Sequence, residues 1–177
     1  MKLLVLQTER LILREMQQKD KEHFIKFMTN QSCTRYLMFS EEQKTPQGAQ
    51  RLFDFILNSY QTQEPLLVLT VALKETDEMI GSAGASLLEP SGIYECYYSL
   101  LSEMEGYGYA TEATRELFRF LFQKQNAIEL RAYMHPENNA SQRVAKRLSM
   151  EYKGIRQHPV FHNDGILYVC FPDNSAL

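Results

Sequence analysis

The residues with the clearest chemical meaning are two glycines, Gly106 and Gly108, that lie between a predicted strand and a predicted helix. Two glycines separated by one residue allow a tight turn and let a ligand approach the main chain without meeting a Cβ atom. The following helix adds unpaired N–H groups and the positive end of its dipole. An anion, most simply a phosphate, is therefore favoured here, and several amides converging on a diphosphate would dominate binding. A plain strand-to-helix turn is the alternative.

Two other phosphate-binding motifs can be compared with this loop. A P-loop requires a Gly-Lys-Ser/Thr sequence, which the chain lacks, so a nucleoside triphosphatase is not expected. The dinucleotide-binding pattern fits in part, because Thr111 takes the third glycine position and Glu129 lies near the expected acidic position. The preceding strands are predicted to be antiparallel, whereas a doubly wound fold places helices between them. A dinucleotide site is therefore the second interpretation.

Cysteine and histidine patterns predict neither a disulfide framework nor a metal site. The three cysteines are odd in number and widely separated, so we expect reduced and buried thiols at Cys33, Cys96 and Cys170. His158 and His162 have the spacing of helical metal ligands, but Pro159 disfavours a helix there and no further ligand is suitably spaced. We expect no metal, and regard either histidine as a candidate for lining an acceptor pocket.

The elements that must position the loop begin with helical patterns. Alternating apolar residues predict a strand over 10–14, and apolar residues three and four apart predict amphipathic helices over 18–29 and from Pro46 to about Tyr60. Three strand segments then follow, at 66–74, 79–88 and 93–101. The short polar connections between them predict an antiparallel meander.

The second half of the chain predicts one crossover and a closing pair of strands. A helix starts after Gly108 and ends near Lys124, and a strand is predicted over 127–135. The remaining predicted elements are a helix over 139–148 and strands over 150–155 and 166–171. This order predicts a mixed α+β fold with one strand–helix–strand crossover.

Composition and charge limit the class of protein. The chain has 177 residues, 44% of them hydrophobic and 23% charged, which predicts one globular domain over residues 1–177. The net charge of −3 provides no overall cationic surface for nucleic acid. Apolar runs are far shorter than the ~20 residues of a membrane span. The N-terminal segment lacks the apolar stretch and cleavage site of a signal peptide, so we expect a cytoplasmic protein.

Four short motifs resemble, in order and spacing, those of the GNAT N-acetyltransferases. They are the segments 8–14 (TERLILR), 80–81 (IG), 106–113 (GYGYATEA) and 138–144 (NNASQRV). The resemblance spans nearly the whole chain and is strongest to the branch of the ribosomal-protein N-terminal acetyltransferases RimJ and RimL. It implies a central, mostly antiparallel twisted sheet that is splayed between two adjacent strands and flanked by helices in α-β-α layers.

The resemblance also implies acetyl-coenzyme A (acetyl-CoA) as the donor and a primary amine as the acceptor, either a small molecule or a protein N-terminus. The strands at 93–101 and 127–135 would be the splayed pair, with the pantetheine arm between them and the diphosphate on residues 106–111. The implied cofactor-binding residues are Leu100, Leu101, Gly106, Tyr107, Gly108, Tyr109, Ala110, Thr111, Asn138, Ser141, Arg143 and Lys146. We expect a monomer or a homodimer without nucleic acid, membrane or metal partners.

Ser141 and Glu95 are the candidate catalytic residues. On the resemblance, Ser141 lies near the sulfur of the cofactor and protonates the leaving thiolate, with Tyr133 and Tyr152 as rivals. Alternatively, residues 139–142 simply form the capping box that begins a helix. The acceptor amine must lose a proton, and Glu95, on a strand flanking the cleft, is the leading candidate base. A solvent-facing glutamate on an alternating strand is the alternative.

Some features leave room for a different function. Main-chain N–H groups near residues 99–101 are expected to stabilise the acetyl carbonyl. Glu103 stands where Gln or Arg is usual in the family, and residues 149–150 are Ser-Met where Gly-Phe is usual. These departures leave open a non-catalytic module that binds coenzyme A. The residues expected to wall the acceptor groove are Tyr36, Phe39 and Tyr60.

Overall fold

The computed structural model describes residues 4–172, which contain one eight-stranded sheet. Residues 1–3, part of the segment on which the signal-peptide expectation rests, lie outside the described residues. The strands are β1 Val5–Gln7, β2 Leu11–Glu15, β3 Leu67–Leu73, β4 Met79–Glu89, β5 Ile93–Leu100, β6 Glu129–Met134, β7 Glu151–Gln157 and β8 Asp164–Cys170. Their order in the sheet is β1-β2-β3-β4-β5-β6-β8-β7, and every neighbouring pair is antiparallel except β5 and β6. The predicted meander and crossover are confirmed.

Five helices accompany the sheet in the described chain. They are α1 Lys21–Thr29, α2 Gln31–Thr34, α3 Pro46–Ser59, α4 Tyr109–Lys124 and α5 Asn139–Arg147. α3 begins as the sequence predicts, because Pro46 takes the first turn and the Thr45 hydroxyl accepts the Gly48 N–H. Across residues 4–172, no helix is both long and apolar enough to cross a bilayer.

Two apolar cores hold the helices on opposite faces of the sheet. On one face, the α4 side chains Leu117, Phe118 and Leu121 are fully buried against alternate strand residues. On the other face, α1 and α3 meet through Phe24 and Phe53, whose ring centroids are 5.6 Å apart. The helical periodicity of these apolar residues forces each helix to turn one stripe towards the sheet. The expected α-β-α layers are confirmed.

The sheet splits between its two parallel strands. β5 and β6 pair only where residues 93–95 lie beside residues 129–131. Beyond that point, β5 stays bonded to β4 as far as Leu100, and β6 stays bonded to β8 as far as Met134. Because each strand follows its outer neighbour, the two diverge and leave main-chain groups facing the gap. The splayed pair of strands is therefore present in the described chain.

Two short elements were not predicted, and one helix is shorter than expected. β1 has three residues, too few to show an alternating pattern, and α2 has four, begun by the Asn30 side chain, which accepts the Ser32 N–H. Residues 18–20 form a separate 3-10 turn in front of α1. α2 brings Cys33 and its neighbours against β5, which matters for the site.

Candidate active site

The loop before α4 is open on its outer side. Gly106 and Gly108 have φ angles of +85° and +84°, in the left-handed region that glycine adopts without steric cost. A Cβ atom at Gly106 would meet nothing within 4 Å, and one at Gly108 would meet only the Arg10 Nη2 atom, at 3.6 Å. The glycines therefore serve both the turn and the free space beside it.

The main-chain N–H groups of this loop have no partner among residues 4–172. In the described residues, no acceptor lies within hydrogen-bond distance of the N–H groups of 106–111, and the first bonded amide is that of Glu112, which donates to the Gly108 carbonyl at 3.1 Å. The hydroxyl of Thr111 is buried and also without a partner there. Unpaired donors at a helix N-terminus are satisfied by an anion, so the loop fits a diphosphate.

A second motif of the sequence, at residues 8–14, holds this loop in place. The Glu112 carboxylate accepts hydrogen bonds from the Thr8 hydroxyl at 2.5 Å and from the Arg10 amide at 2.9 Å. The Arg10 guanidinium bonds the same carboxylate at 2.6 Å and the Tyr107 carbonyl at 3.1 Å. Burial alone would raise the pKa of Glu112, but these hydrogen bonds and the Arg10 charge outweigh it and hold the pKa below its ordinary value.

A cleft of about 410 Å³ runs from the loop into the split of the sheet. Tyr98, Ser99 and Leu100 of β5 form one wall, and Asn138, Ser141 and Arg143 of α5 form another. Cys33 and Tyr36, from the opposite helical layer, line it as well. The cleft is therefore reached from both faces of the sheet.

A second, shallower cleft adjoins the outer side of the loop. It is lined by Arg10, Arg115 and Arg147, whose three guanidinium groups surround the N-terminus of α4. Arg147 lines both clefts. The three arginines share this cleft with Glu9 and Glu112, so its lining carries a small excess of positive charge, although the chain carries a net charge of −3.

The start of α5 contains both Asn138 and Ser141. The Asn138 side chain caps the helix by accepting the Ser141 N–H at 3.1 Å. The capping residue is therefore Asn138, and Gln142 instead donates to the Pro136 carbonyl, so the alternative of a box over 139–142 is wrong. Ser141 lines the cleft, and its side chain forms a hydrogen bond with the Tyr98 hydroxyl.

Tyr98 ties β5 to α5 across the cleft. Its hydroxyl donates to the Ser141 carbonyl at 3.0 Å. Burial raises the pKa of Tyr98 and outweighs a side-chain hydrogen bond with Ser141, which lowers it, so the phenol remains protonated at neutral pH. The sequence analysis did not single out Tyr98, since its place on the cleft wall depends on α5.

Main-chain groups of β5 also face the gap. The Leu101 N–H donates to the Ile80 carbonyl at 2.9 Å, on the β4 side. Because N–H groups of a strand alternate in direction, those of Leu100 and Tyr98 point towards β6, into the split. Leu101 itself is 3% exposed, packs in the core with α1 and α3, and does not line the cleft.

Glu95 lies at the point where the split begins. It is the last β5 residue that pairs with β6, and strand alternation places it on the sheet face opposite Tyr98. Both carboxylate oxygens lie 3.0 Å from the Nε2 atom of His158. Its side chain is 21% exposed, so it is neither the solvent-facing glutamate of the alternative nor part of the lining of the main cleft.

Several other predicted site residues lie elsewhere. Lys146 is exposed and lines neither cleft. The ring of Tyr133 packs on His158 with centroids 4.6 Å apart, and Tyr152 is 60% exposed on β7. Tyr133 and Tyr152, the rivals of Ser141, are thus absent from the cleft lining.

Of the three aromatic residues expected in the acceptor groove, Tyr36 lines the cleft. Tyr60 is 5% exposed and donates its hydroxyl hydrogen to the Val68 carbonyl at 2.6 Å. Its burial raises its pKa to about 12. Phe39 packs beside the core of α1 and α3. The groove wall therefore contains Tyr36 but neither of the other two rings.

The departures from the family pattern have local explanations. Glu103 forms an ion pair with Lys26 of α1 at 2.7 Å, which neutralises the charge that replaces the usual cation. Ser149 has a φ of +57°, the conformation that a glycine at this position would adopt freely. Neither residue obstructs the loop at 106–111.

The described residues show the state of the thiols and the placement of side chains that could bind a metal. Cys33, Cys96 and Cys170 are free and buried. Within residues 4–172, no group of three or more His, Cys, Asp or Glu side chains is arranged to hold a metal ion. Glu129, the acidic residue of the dinucleotide pattern, pairs with Arg131 on β6 at 2.5 Å, and the strands before the loop are antiparallel. The dinucleotide interpretation is therefore not favoured.

Comparisons with known proteins agree with this geometry. The family model for the acetyltransferase (GNAT) domain matches residues 10–151. An uncharacterised N-acetyltransferase, p20 of Bacillus licheniformis, is 29% identical over 154 residues, which cover 85% of this chain and 84% of that protein.

Two solved structures share the fold. One, described as a ribosomal-protein-serine acetyltransferase of Vibrio cholerae, has a TM-score of 0.80 at 17% identity and covers 96% of this chain and 98% of its own. The other is RimL, a ribosomal-protein α-N-acetyltransferase in complex with coenzyme A, with a TM-score of 0.78 at 14% identity and coverage of 97% and 100%. With its split sheet, its open glycine loop and a family match over most of its length, this chain belongs to the GNAT acetyltransferases.

Proposed function

We propose that the protein transfers the acetyl group of acetyl-CoA directly to a primary amine. The observation that carries the proposal is the row of unpaired main-chain donors at residues 106–111, placed beside a split in the sheet. Such donors suit a diphosphate, and the split offers main-chain partners to an extended pantetheine arm. We also propose that residues 1–177 act as one domain, as a monomer or homodimer, in the cytoplasm.

The residues proposed to hold acetyl-CoA lie in the glycine loop, in the split of the sheet and on α5. Residues 106–111, with the orphan hydroxyl of Thr111, would bind the diphosphate. Leu100 and Asn138 would contact the pantetheine arm in the split. Arg143 lines the main cleft and Arg147 lines both clefts, so these two are better placed than Lys146 to meet the phosphates.

Acetyl-CoA supplies an activated acyl thioester, so no covalent intermediate with the enzyme is needed. Glu95 would accept the proton of the amine, at the start of the split. The N–H groups of Leu100 and Tyr98 would stabilise the oxyanion, and their strand geometry already directs them into the gap. Ser141, which lines the cleft beside Tyr98, would protonate the leaving thiolate.

The acceptor is proposed to be a protein N-terminal amine. The two solved neighbours carry names of ribosomal-protein acetyltransferases, one acting on a serine and the other on an α-amino group. The cleft opens on the α2 side, beside Tyr36, where an extended peptide end can enter. A small amine is the second acceptor class, because a single amine is all that the chemistry requires.

A thiol-release assay tests the activity. Acetyl-CoA is incubated with the protein and with one acceptor at a time, namely peptides beginning with serine or alanine, spermidine, and free lysine, with a control lacking amine. We expect thiol release with at least one acceptor and a mass increase of that acceptor by one acetyl group. Tight coenzyme A binding without turnover across this panel would instead identify a non-catalytic module.

A further inference from the structure

His158 is a buried histidine that the transfer chemistry described above does not use. It follows the last residue of β7, and 1% of its surface is exposed. Its ring lies between those of Tyr133 and Phe161, with centroids 4.6 and 4.7 Å away. Since buried polar groups require partners, the hydrogen bonds of its two nitrogens explain its presence there.

The hydrogen bonds of His158 assign its tautomer. The Nδ1 atom accepts the N–H groups of Val160 and Phe161, at 3.1 and 3.2 Å, so it carries no proton. The proton must then be on Nε2, which faces both carboxylate oxygens of Glu95 at 3.0 Å. His158 is therefore neutral, donates to Glu95, and closes the turn between β7 and β8 with its other nitrogen.

We infer that His158 is the positioning residue for Glu95. Its Nε2–H faces both carboxylate oxygens and so fixes the orientation of the carboxylate at the start of the split. The inference rests on the proposed function, in which Glu95 is the base. It also links the turn at 158–163, on the acceptor side of the sheet, to the residue that receives the proton.

The charged side chain beside Glu95 and His158 has other ion-pair partners. Arg131 lies beside Glu95 in the β5–β6 register and bonds Glu129 at 2.5 Å and Glu89 at 3.3 Å. Tyr133 contributes its ring, packed on the imidazole. Among the described residues, His158 is the group that hydrogen-bonds the Glu95 carboxylate.

The proton balance is simple. The amine nitrogen loses one proton, which passes to a Glu95 oxygen and then to solvent, while His158 keeps its Nε2 proton throughout. The imidazole cannot take up a second proton without expelling two N–H donors from Nδ1. His158 thus acts through Glu95 and does not exchange protons with the substrate.

Two substitutions separate the two roles of the ring. In His158→Asn, the amide oxygen can replace Nδ1 as the acceptor of the turn, but the donor to Glu95 is lost. In His158→Gln, the amide nitrogen can replace Nε2 as the donor to Glu95. His23→Asn is the matched control, because His23 is an exposed histidine paired with Glu78 on another part of the molecule.

Separate values of kcat and KM, measured with the best acceptor of the panel, give the decisive readout. For His158→Asn we expect kcat at neutral pH to fall about tenfold or more, with KM for acetyl-CoA unchanged. His158→Gln should recover most of the wild-type kcat, because its amide nitrogen again donates to Glu95. His23→Asn should match the wild type.

The outcomes distinguish this inference from the proposed function. Absence of turnover by the wild type across the panel would overturn both. Turnover by the wild type, together with a wild-type kcat in His158→Asn or an equal loss of kcat in His158→Asn and His158→Gln, would overturn the positioning role alone. A ¹⁵N spectrum of the histidine rings, which needs no turnover, should show the proton on Nε2 of His158, and a proton on Nδ1 would contradict the assignment.

Discussion

At the scale of single residues, the loop glycines explain how the chain can bind a diphosphate without a lysine of the P-loop type. The N–H groups of 106–111 have no acceptor in the described protein, and the space beside Gly106 is empty to 4 Å. Hydrogen bonds to a charged group contribute about 1.5–3 kcal/mol each. Even two or three of them outweigh the contribution of one exposed ion pair at the surface.

Gly106→Asp tests this role, with Gly106→Ala as its control. Both side chains must adopt the left-handed backbone of Gly106, at a cost of about 1 kcal/mol, but only Asp adds a negative charge beside the amides. We expect calorimetry to show that coenzyme A binds Gly106→Asp at least about tenfold more weakly than Gly106→Ala. Equal affinities for the two variants would show that no phosphate lies at Gly106.

Ser141→Ala tests the proposed acid. The capping bond of α5 uses the Ser141 main-chain N–H, so the substitution leaves that bond intact. The substitution removes the side-chain hydrogen bond with Tyr98, so stability should fall by about 1 kcal/mol or less. We expect kcat to fall about tenfold or more while the affinity for coenzyme A is retained. A variant with wild-type kcat would exclude Ser141 as the proton donor.

The limits of sequence reasoning are clearest at the residue scale. Gly106 and Gly108 could be identified because loop chemistry is local, whereas the cap of α5 was expected within residues 139–142 and is Asn138. The bond between Glu95 and His158 joins residues 63 positions apart, and no spacing rule predicts which buried histidine meets which strand. The sequence analysis proposed Lys146, and not Arg147, to meet the phosphates. Which of these two neighbouring side chains faces the clefts depends on how α5 packs, and spacing alone does not predict it.

At the scale of elements, β2 and α4 are joined by one carboxylate. Glu112 in the first turn of α4 accepts bonds from Thr8 and Arg10 at the start of β2, and Arg10 also holds the Tyr107 carbonyl. Two motifs that are 100 residues apart therefore stabilise the same loop. The sequence showed both motifs, but only the fold shows that they are in contact.

The lowered pKa of Glu112 predicts a pH-dependent contribution to stability. A carboxylate with a folded pKa below its ordinary value of 4.5 stabilises the fold above that pH, and the contribution is lost as pH falls through the folded value. We expect Glu112→Gln to unfold more easily than the wild type at pH 7, by about 1 kcal/mol, since Arg10 is 45% exposed. Thermal unfolding from pH 7 down to pH 3 measures this difference.

The difference between Glu112→Gln and the wild type should narrow below pH 4.5 and be smallest at the acid end of the series. Glu105→Gln, at an exposed glutamate of the same loop, is the control and should behave as the wild type does. A gap between Glu112→Gln and the wild type that stays constant with pH would contradict a role for the ionised carboxylate.

Most helices and strands could be predicted because their apolar residues repeat over enough positions to show a helical or a strand period. The meander of β3, β4 and β5 followed from connections too short for a crossover, and the α4 stripe followed from its period. β1 and α2 were missed because three or four residues carry no measurable period. Strand ends differ by up to two residues, since hydrogen bonding to neighbours, and not composition, sets where a ladder stops.

At the scale of the whole molecule, function depends on a sheet that is not closed. Both helical layers are well packed, each with its own apolar core, yet β5 and β6 part after residue 95. The cleft reaches both faces, because Ser141 lines it from one helical layer and Cys33 and Tyr36 line it from the other. Glu95, bonded to His158, lies outside its lining, at the point where the split begins. Donor and acceptor can then approach the same gap from opposite sides of the sheet.

Hydrogen exchange with and without acetyl-CoA tests this arrangement most directly. We predict that saturating acetyl-CoA slows exchange of the main-chain amides at 106–111 and at 96–100, while α3 Pro46–Ser59, which lies on the opposite face, exchanges as before. Gly106→Asp should lose the protection at 106–111. Saturated binding that leaves exchange at 106–111 unchanged would show that these amides do not hold the cofactor.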